Sequence, residues 1–106
     1  MLGFLKRIFK STPKVNYREL VDKGAIILDV RSKSEYSSGH VKGSINISVD
    51  QLDQNLGKLH DKDKPVIVCC GTGMRSKAAA SLLKASGYRE VYDAGAWTAL
   101  KSKMAA

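Results

Sequence analysis

The chain has 106 residues, 43% apolar and 26% charged, with a net charge of +8. That balance describes one ordinary soluble domain long enough to bury a core, and it excludes a membrane span, which needs about 18 consecutive apolar residues. The only cysteines, Cys69 and Cys70, are adjacent; they close no useful loop, so a disulfide scaffold is excluded and free thiols in a reducing, cytoplasmic setting are expected.

The first element predicted is a short amphipathic, basic helix within residues 1–13. Leu2, Phe4, Leu5, Ile8 and Phe9 fall on one arc and Lys6, Arg7 and Lys10 on the other, and Ser11-Thr12-Pro13 ends it. Three fates are open to it: packing on the domain, weak peripheral contact of residues 1–10 with an anionic membrane surface, or a partner-bound or disordered state. Asn16 with Glu19 offers a capping box for a second helix, stopped at Gly24. Residues 25–30, AIILDV, read as a strand covered on both faces. SKSEYSSGH reads as a turn or a single helical turn, and SINIS, residues 44–48, as a short strand.

Ser48 with Gln51 offers another capping box, and Val49, Leu52, Leu56 and Leu59 come next at helical spacing. PVIVCC, residues 65–70, is a second buried strand. Residues 76–86 then form a helix, with Ala79, Leu82 and Leu83 inward and Gly87 as its stop. EVYDA is a last strand, and Trp97, Leu100 and Met104 mark a closing helix. Strands alternating with helices predict an α/β domain over residues 14–106, with a small, mainly parallel central sheet flanked by helices on both faces. Ligands of such folds bind at the carboxyl ends of the strands.

One such end carries VIVCCGTGMRS, residues 66–76. Its GTGMRS has the form of a dinucleotide turn, and Asp93 lies twenty residues beyond Gly73, where a ribose-binding acid would stand. Too few residues lie beyond Asp93 to complete a dinucleotide site, and the P-loop pattern is absent. Two cysteines with His40 and His60 lack metal-ligand spacing, so no metal is expected. The positive charge suits anions generally, but the few aromatics are not interleaved with basic clusters, so no nucleic acid is expected. The thiol uses the turn better. Glycines at 71 and 73 permit backbone N–H groups to converge on one spot, and the positive end of the next helix faces it. A thiolate on Cys70 gains those donors, and Arg75 adds a fixed charge.

Cys70-Gly71-Thr72-Gly73-Met74-Arg75 resembles the C-x-x-G-x-R active-site loop of the rhodanese-like sulfurtransferases. LDVRSKSEYSSGHVKGSINI, residues 28–47, resembles the family's D-V-R-x-x-x-E-[FY]-x-x-G-H-[IV]-x-G-[AS]-x-[NH]-[IL] stretch. DAGAWTAL, residues 93–100, resembles its closing segment, with Ala96 where a second glycine is common. The likeness covers about residues 15–104. It implies that Cys70 takes the outer sulfur of thiosulfate or a similar anionic donor as a persulfide, held by the loop Gly71, Thr72, Gly73, Met74 and Arg75. A thiol, on a small molecule or a protein, or cyanide then removes it, with no cofactor. Two other readings remain: a non-catalytic rhodanese-like binding module and a thiol phosphatase. The second needs C-x₅-R, one residue longer than the loop here.

Cys69 is expected in the core on the opposite face of its strand from Cys70. The resemblance places His40 in a structural turn; His60 is expected in solvent and Trp97 in the core or a pocket wall. Asp29, Arg31 and Glu35 are supporting residues whose pairing stays open, and Arg75 can point inward at an anion or outward to Glu35.

Overall fold

The computed structural model describes residues 15–59 and 61–105. The helix expected over residues 1–13, and His60, lie outside them. Helix α1 (Tyr17–Asp22) is capped by Asn16, whose side chain accepts from the Glu19 N–H. Strand β1 (Ile26–Asp29) comes next, then α2 (Lys33–Ser38), β2 (Ile45–Asn46), β3 (Val66–Cys70), α3 (Met74–Ala85), β4 (Val91–Ala96) and α4 (Trp97–Ala105).

The four strands form one parallel sheet in the order β2-β1-β3-β4. Every residue of β3 is buried, as expected for the centre of a parallel sheet. Its side chains alternate between two cores. Val66, Val68 and Cys70 pack with Leu28, Leu52, Leu59, Ala79 and Leu83 on one face; Ile67 and Cys69 pack with Tyr17, Ile27, Val41 and Leu100 on the other. Helix α3 therefore covers one face and α1 with α4 the other, as the alternating pattern predicts. Each fully buried leucine contributes about 1.5–3 kcal/mol relative to exposure.

Local details depart from the sequence expectations. The helix expected after Ser48 is two 3₁₀ turns, Val49–Gln54 and Leu56–Leu59. Asn55 breaks the run: its N–H bonds back to the Leu52 carbonyl, and Gly57 lies two residues on, both poor residues for an α-helix interior. Leu52 and Leu59 still reach the core. Ser48 makes no side-chain cap. The capping box that does form joins Ser32 and Glu35, and it makes the SKSEYSS segment a true helix. The expected strand 44–48 pairs over two residues only. Helix α3 starts two residues earlier than expected, at Met74, which tightens the turn after Cys70. Strand β4 runs on to Ala96 because it carries a bulge: Val68 faces Asp93 but Cys69 faces Gly95. Gly95 has φ +72°, a backbone state glycine adopts freely.

Candidate functional site

The site lies where β3 meets α3. Cys70 ends β3 opposite Ala96 of β4. Gly71 and Thr72 turn the chain, and Gly73, at φ +103°, caps α3 in the left-handed region. That conformation aims the Gly73 N–H back at the strand end, where it donates to Cys70 Sγ at 2.9 Å. The twelve-residue helix α3 begins at the next residue, so the positive end of its dipole faces the same sulfur.

The loop is fastened from two sides. On the β4 side, Asp93 Oδ1 accepts from the Gly95 N–H at 3.0 Å and from Ser76 Oγ at 2.7 Å. Ser76 Oγ also lies 3.0 Å from the Gly73 carbonyl; with one hydroxyl proton, the shorter contact to the carboxylate takes it. Asp93 thus braces the first turn of α3 against the β4 bulge. Sequence reasoning considers Asp93 only as a nucleotide-binding acid and misses this role, and it misses Ser76; the D-x-G spacing, in which an aspartate bonds the N–H two residues on, is the available signal.

On the α2 side, Arg75 points outward. Its Nη1 and Nη2 donate to Glu35 Oε1 and Oε2 at 2.7 and 3.0 Å. Glu35 also accepts from the Ser32 N–H. Arg75, then the Ser32 contacts, hold its carboxyl well below the usual carboxylate range. The pair passes over Gly71: a Cβ there would stand 2.9 Å from Arg75 Nη2 and 3.7 Å from Glu35 Oε2. A side chain at position 71 would therefore displace the Arg75 guanidinium from its place over the turn.

Asp29 and Arg31 settle into one buried pair. Arg31 Nε and Nη2 donate to the Asp29 carboxylate at 2.8–3.1 Å, and its other donors reach the Glu35 and Gly39 carbonyls. The guanidinium lies 4.6 Å from the Trp97 ring centroid, so Trp97 serves as a wall of this ion pair. Asn46 Nδ2 bonds the Asp29 and Arg31 carbonyls. These residues lock the end of β1 and the start of α2, which carries Glu35; they hold the neighbour of the loop, and the sulfur itself is reached by Gly73.

The two cysteines part as strand alternation predicts. Burial first, and Asp29 second, push the Cys69 thiol up to about 12, which keeps it protonated and inert. Cys70 is also fully covered, at 0% exposure. Thr72 and Met74 turn their side chains to solvent, Met74 with 80% exposure, and the donor on the sulfur is the Gly73 N–H. His40 stacks on Tyr36 with ring centroids 3.8 Å apart, and its Nδ1 lies 2.7 Å from the Tyr36 carbonyl, the structural turn its sequence context implies.

A family described as the rhodanese-like domain matches residues 12–103. A thiosulfate sulfurtransferase named GlpE from Pseudomonas fluorescens is 32% identical over 85 residues, 80% of this chain and 77% of the relative. Among solved structures, a rhodanese with anions from E. coli is 31% identical with a TM-score of 0.68, covering 72% of this chain and 91% of that one. A human single-domain sulfurtransferase, TSTD1, is 26% identical with a TM-score of 0.69, covering 88% and 98%.

Proposed function

The chain belongs to the rhodanese-like domain family, and from that premise we propose that it is a sulfurtransferase working through a persulfide on Cys70. The observation that carries the reading is the Gly73 N–H on Cys70 Sγ at the mouth of α3. A thiolate at this position has a hydrogen-bond donor and a helix dipole directed at it. In the first step the thiolate attacks the outer sulfur of thiosulfate; the S–S bond of the donor breaks, sulfite leaves with the electron pair, and Cys70 holds a persulfide. In the second, a thiolate or cyanide attacks the outer persulfide sulfur and the Cys70 thiolate departs. Each half is a balanced displacement that needs no metal or organic cofactor.

Because Cys70 is covered, the donor enters only when the loop opens. The Arg75–Glu35 pair, with side chains 35% and 40% exposed, is the contact that crosses Gly71 and is accessible to a competing anion. An anionic donor that draws Arg75 from Glu35 gains a charge-assisted contact as the loop opens. Between Cys70 and Arg75 the ring is one residue shorter than a thiol phosphatase loop, a size suited to a sulfur atom more than to a phosphoryl group. Among the described residues no helix is long and apolar enough to cross a membrane; a cytoplasmic setting is part of the proposal.

Incubation with thiosulfate and then intact mass measurement tests the chemistry. The expected result is a gain of one sulfur, removed by cyanide and absent in Cys70→Ser. The complete burial of Cys70 favours one second reading, a rhodanese-like module that binds without catalysis; no mass gain in the wild type would establish it over sulfur transfer.

A further inference from the structure

A groove of about 540 Å³ runs beside β2, on the far side of the sheet from β4. Strand β2 is a sheet edge with no strand beyond it among the described residues. Ile47 and Val49 donate their N–H groups inward to the Asp29 and Val30 carbonyls at 3.1 Å. By alternation the Asn46 N–H of this two-residue strand turns away from β1, and Asn46 and Ser48 both line the groove. Lys33 and Ser37 of α2 form one wall, and Asn55 and Lys58 of the 3₁₀ segment form another. Among the described residues no carboxylate lines it. Ser37 and Asn55 already donate to the Lys33 and Gln51 carbonyls, so Lys33 and Lys58 are the charged donors that meet whatever enters.

We infer that this groove receives an extended acidic segment of a protein partner, laid along β2 as an added strand. The open strand edge supplies main-chain hydrogen bonds, and the two lysines pair with carboxylates on the incoming segment. A small inorganic anion would leave most of the volume and the strand edge unused. Position gives the surface a use. Asn46, Asp29 and Cys69 stand in register on adjacent strands, so at about 4.8 Å per strand the groove begins about 10 Å from the residue preceding the reactive thiol. A partner docked there has its remaining surface beside the Cys70 loop. Identifying that partner as the sulfur acceptor rests on the sulfur-transfer reading; the binding itself does not.

The test is an amide NMR titration with a capped heptapeptide of alternating glutamate and valine, without any sulfur donor. Shifts are expected to concentrate at Asn46, Ser48 and the flanking groove residues. The exposed double replacement Lys33→Glu with Lys58→Glu should weaken binding at least about tenfold, while Lys64→Glu with Lys84→Glu, the same charge change outside the groove, should cost less than about twofold. The inference is overturned if the shifts scatter over the surface, if both double variants lose binding equally, or if the peptide does not bind. It is equally overturned if inorganic phosphate produces the same shifts, which would make the groove a small-anion site. A failure here leaves the mass gain on Cys70 untouched, and a failure of that mass gain leaves the titration untouched.

Discussion

Arg75 at the start of α3 and Glu35 in α2 make a two-pronged ion pair, 2.7 and 3.0 Å, that crosses the chain at Gly71. It joins the sulfur loop to the segment locked by Asp29 and Arg31. Glu35→Gln keeps the shape and removes the charge. A partly exposed pair of this kind is a weak latch, so alkylation of Cys70 by iodoacetamide should accelerate modestly, roughly two- to fivefold. An unchanged rate would show that the pair does not govern access to the thiol.

The same pair has a pH signature. Arg75 and Ser32 lower the Glu35 carboxyl in the folded state. A depressed carboxylate contributes stability above its unfolded value, about pH 4, and loses it as pH falls toward the folded value. The melting-temperature difference between wild type and Glu35→Gln should therefore hold steady from neutral pH to about pH 5 and shrink below about pH 4. A difference that grows in acid would contradict the assignment.

Gly71→Ala puts a methyl group 2.9 Å from Arg75 Nη2. That nitrogen is the end of a flexible side chain, so Arg75 moves and the backbone stays. Stability should fall by no more than about 1 kcal/mol, and Cys70 should become as accessible as in Glu35→Gln. Combining the two should add little, because both remove the same contact. Additive acceleration would mean that they act separately.

Asp93 holds Ser76 and the Gly95 N–H, and through them the geometry of the Gly73 cap. Asp93→Ala should slow sulfur loading about tenfold, the scale of a single lost hydrogen bond to a charged group at the low end of its range. Asp93→Asn, which keeps an acceptor oxygen, should recover most of the rate. If the alanine variant loads at the wild-type rate, the brace is unrelated to the sulfur site.

Cys69 is buried with Ile67, Ile27 and Leu100, its thiol raised to about 12. In Cys70→Ser, iodoacetamide should leave Cys69 unmodified until the protein is denatured. Cys69→Ala should still gain one sulfur from thiosulfate. Cys69→Ser should load as well but fold less stably by about 1–3 kcal/mol, since a hydroxyl enters an apolar site. Rapid labelling of Cys69 in the folded protein would assign the thiols the other way.

The fold is legible because its signals are short-range. Two runs of apolar residues, AIILDV and PVIVCC, read directly as strands covered on both faces, and glycines mark the ends of the first and third helices. The stretch after Ser48 misleads because helical spacing of leucines is also satisfied by two 3₁₀ turns that bury Leu52 and Leu59. Spacing reports which residues face the core; the hydrogen-bond ladder beneath them depends on how Asn55 and Gly57 relax.

By itself the sequence determined the short spacing from Cys70 to Arg75, the glycines that let the chain turn there, and the parting of two neighbouring thiols by strand alternation, since each follows from covalent spacing along a few residues. Tertiary structure alone decided that Arg75 turns to Glu35, that Asp29 holds Arg31, that Asp93 braces Ser76, and that the β2 edge opens on a basic groove. The Arg75–Glu35 and Asp93–Ser76 pairs join positions separated in the chain and brought together by parallel crossovers, whereas Asp29 and Arg31 stand two residues apart and are held together by the packing around them. Several partners of the right charge were available to each, and only packing selects among them.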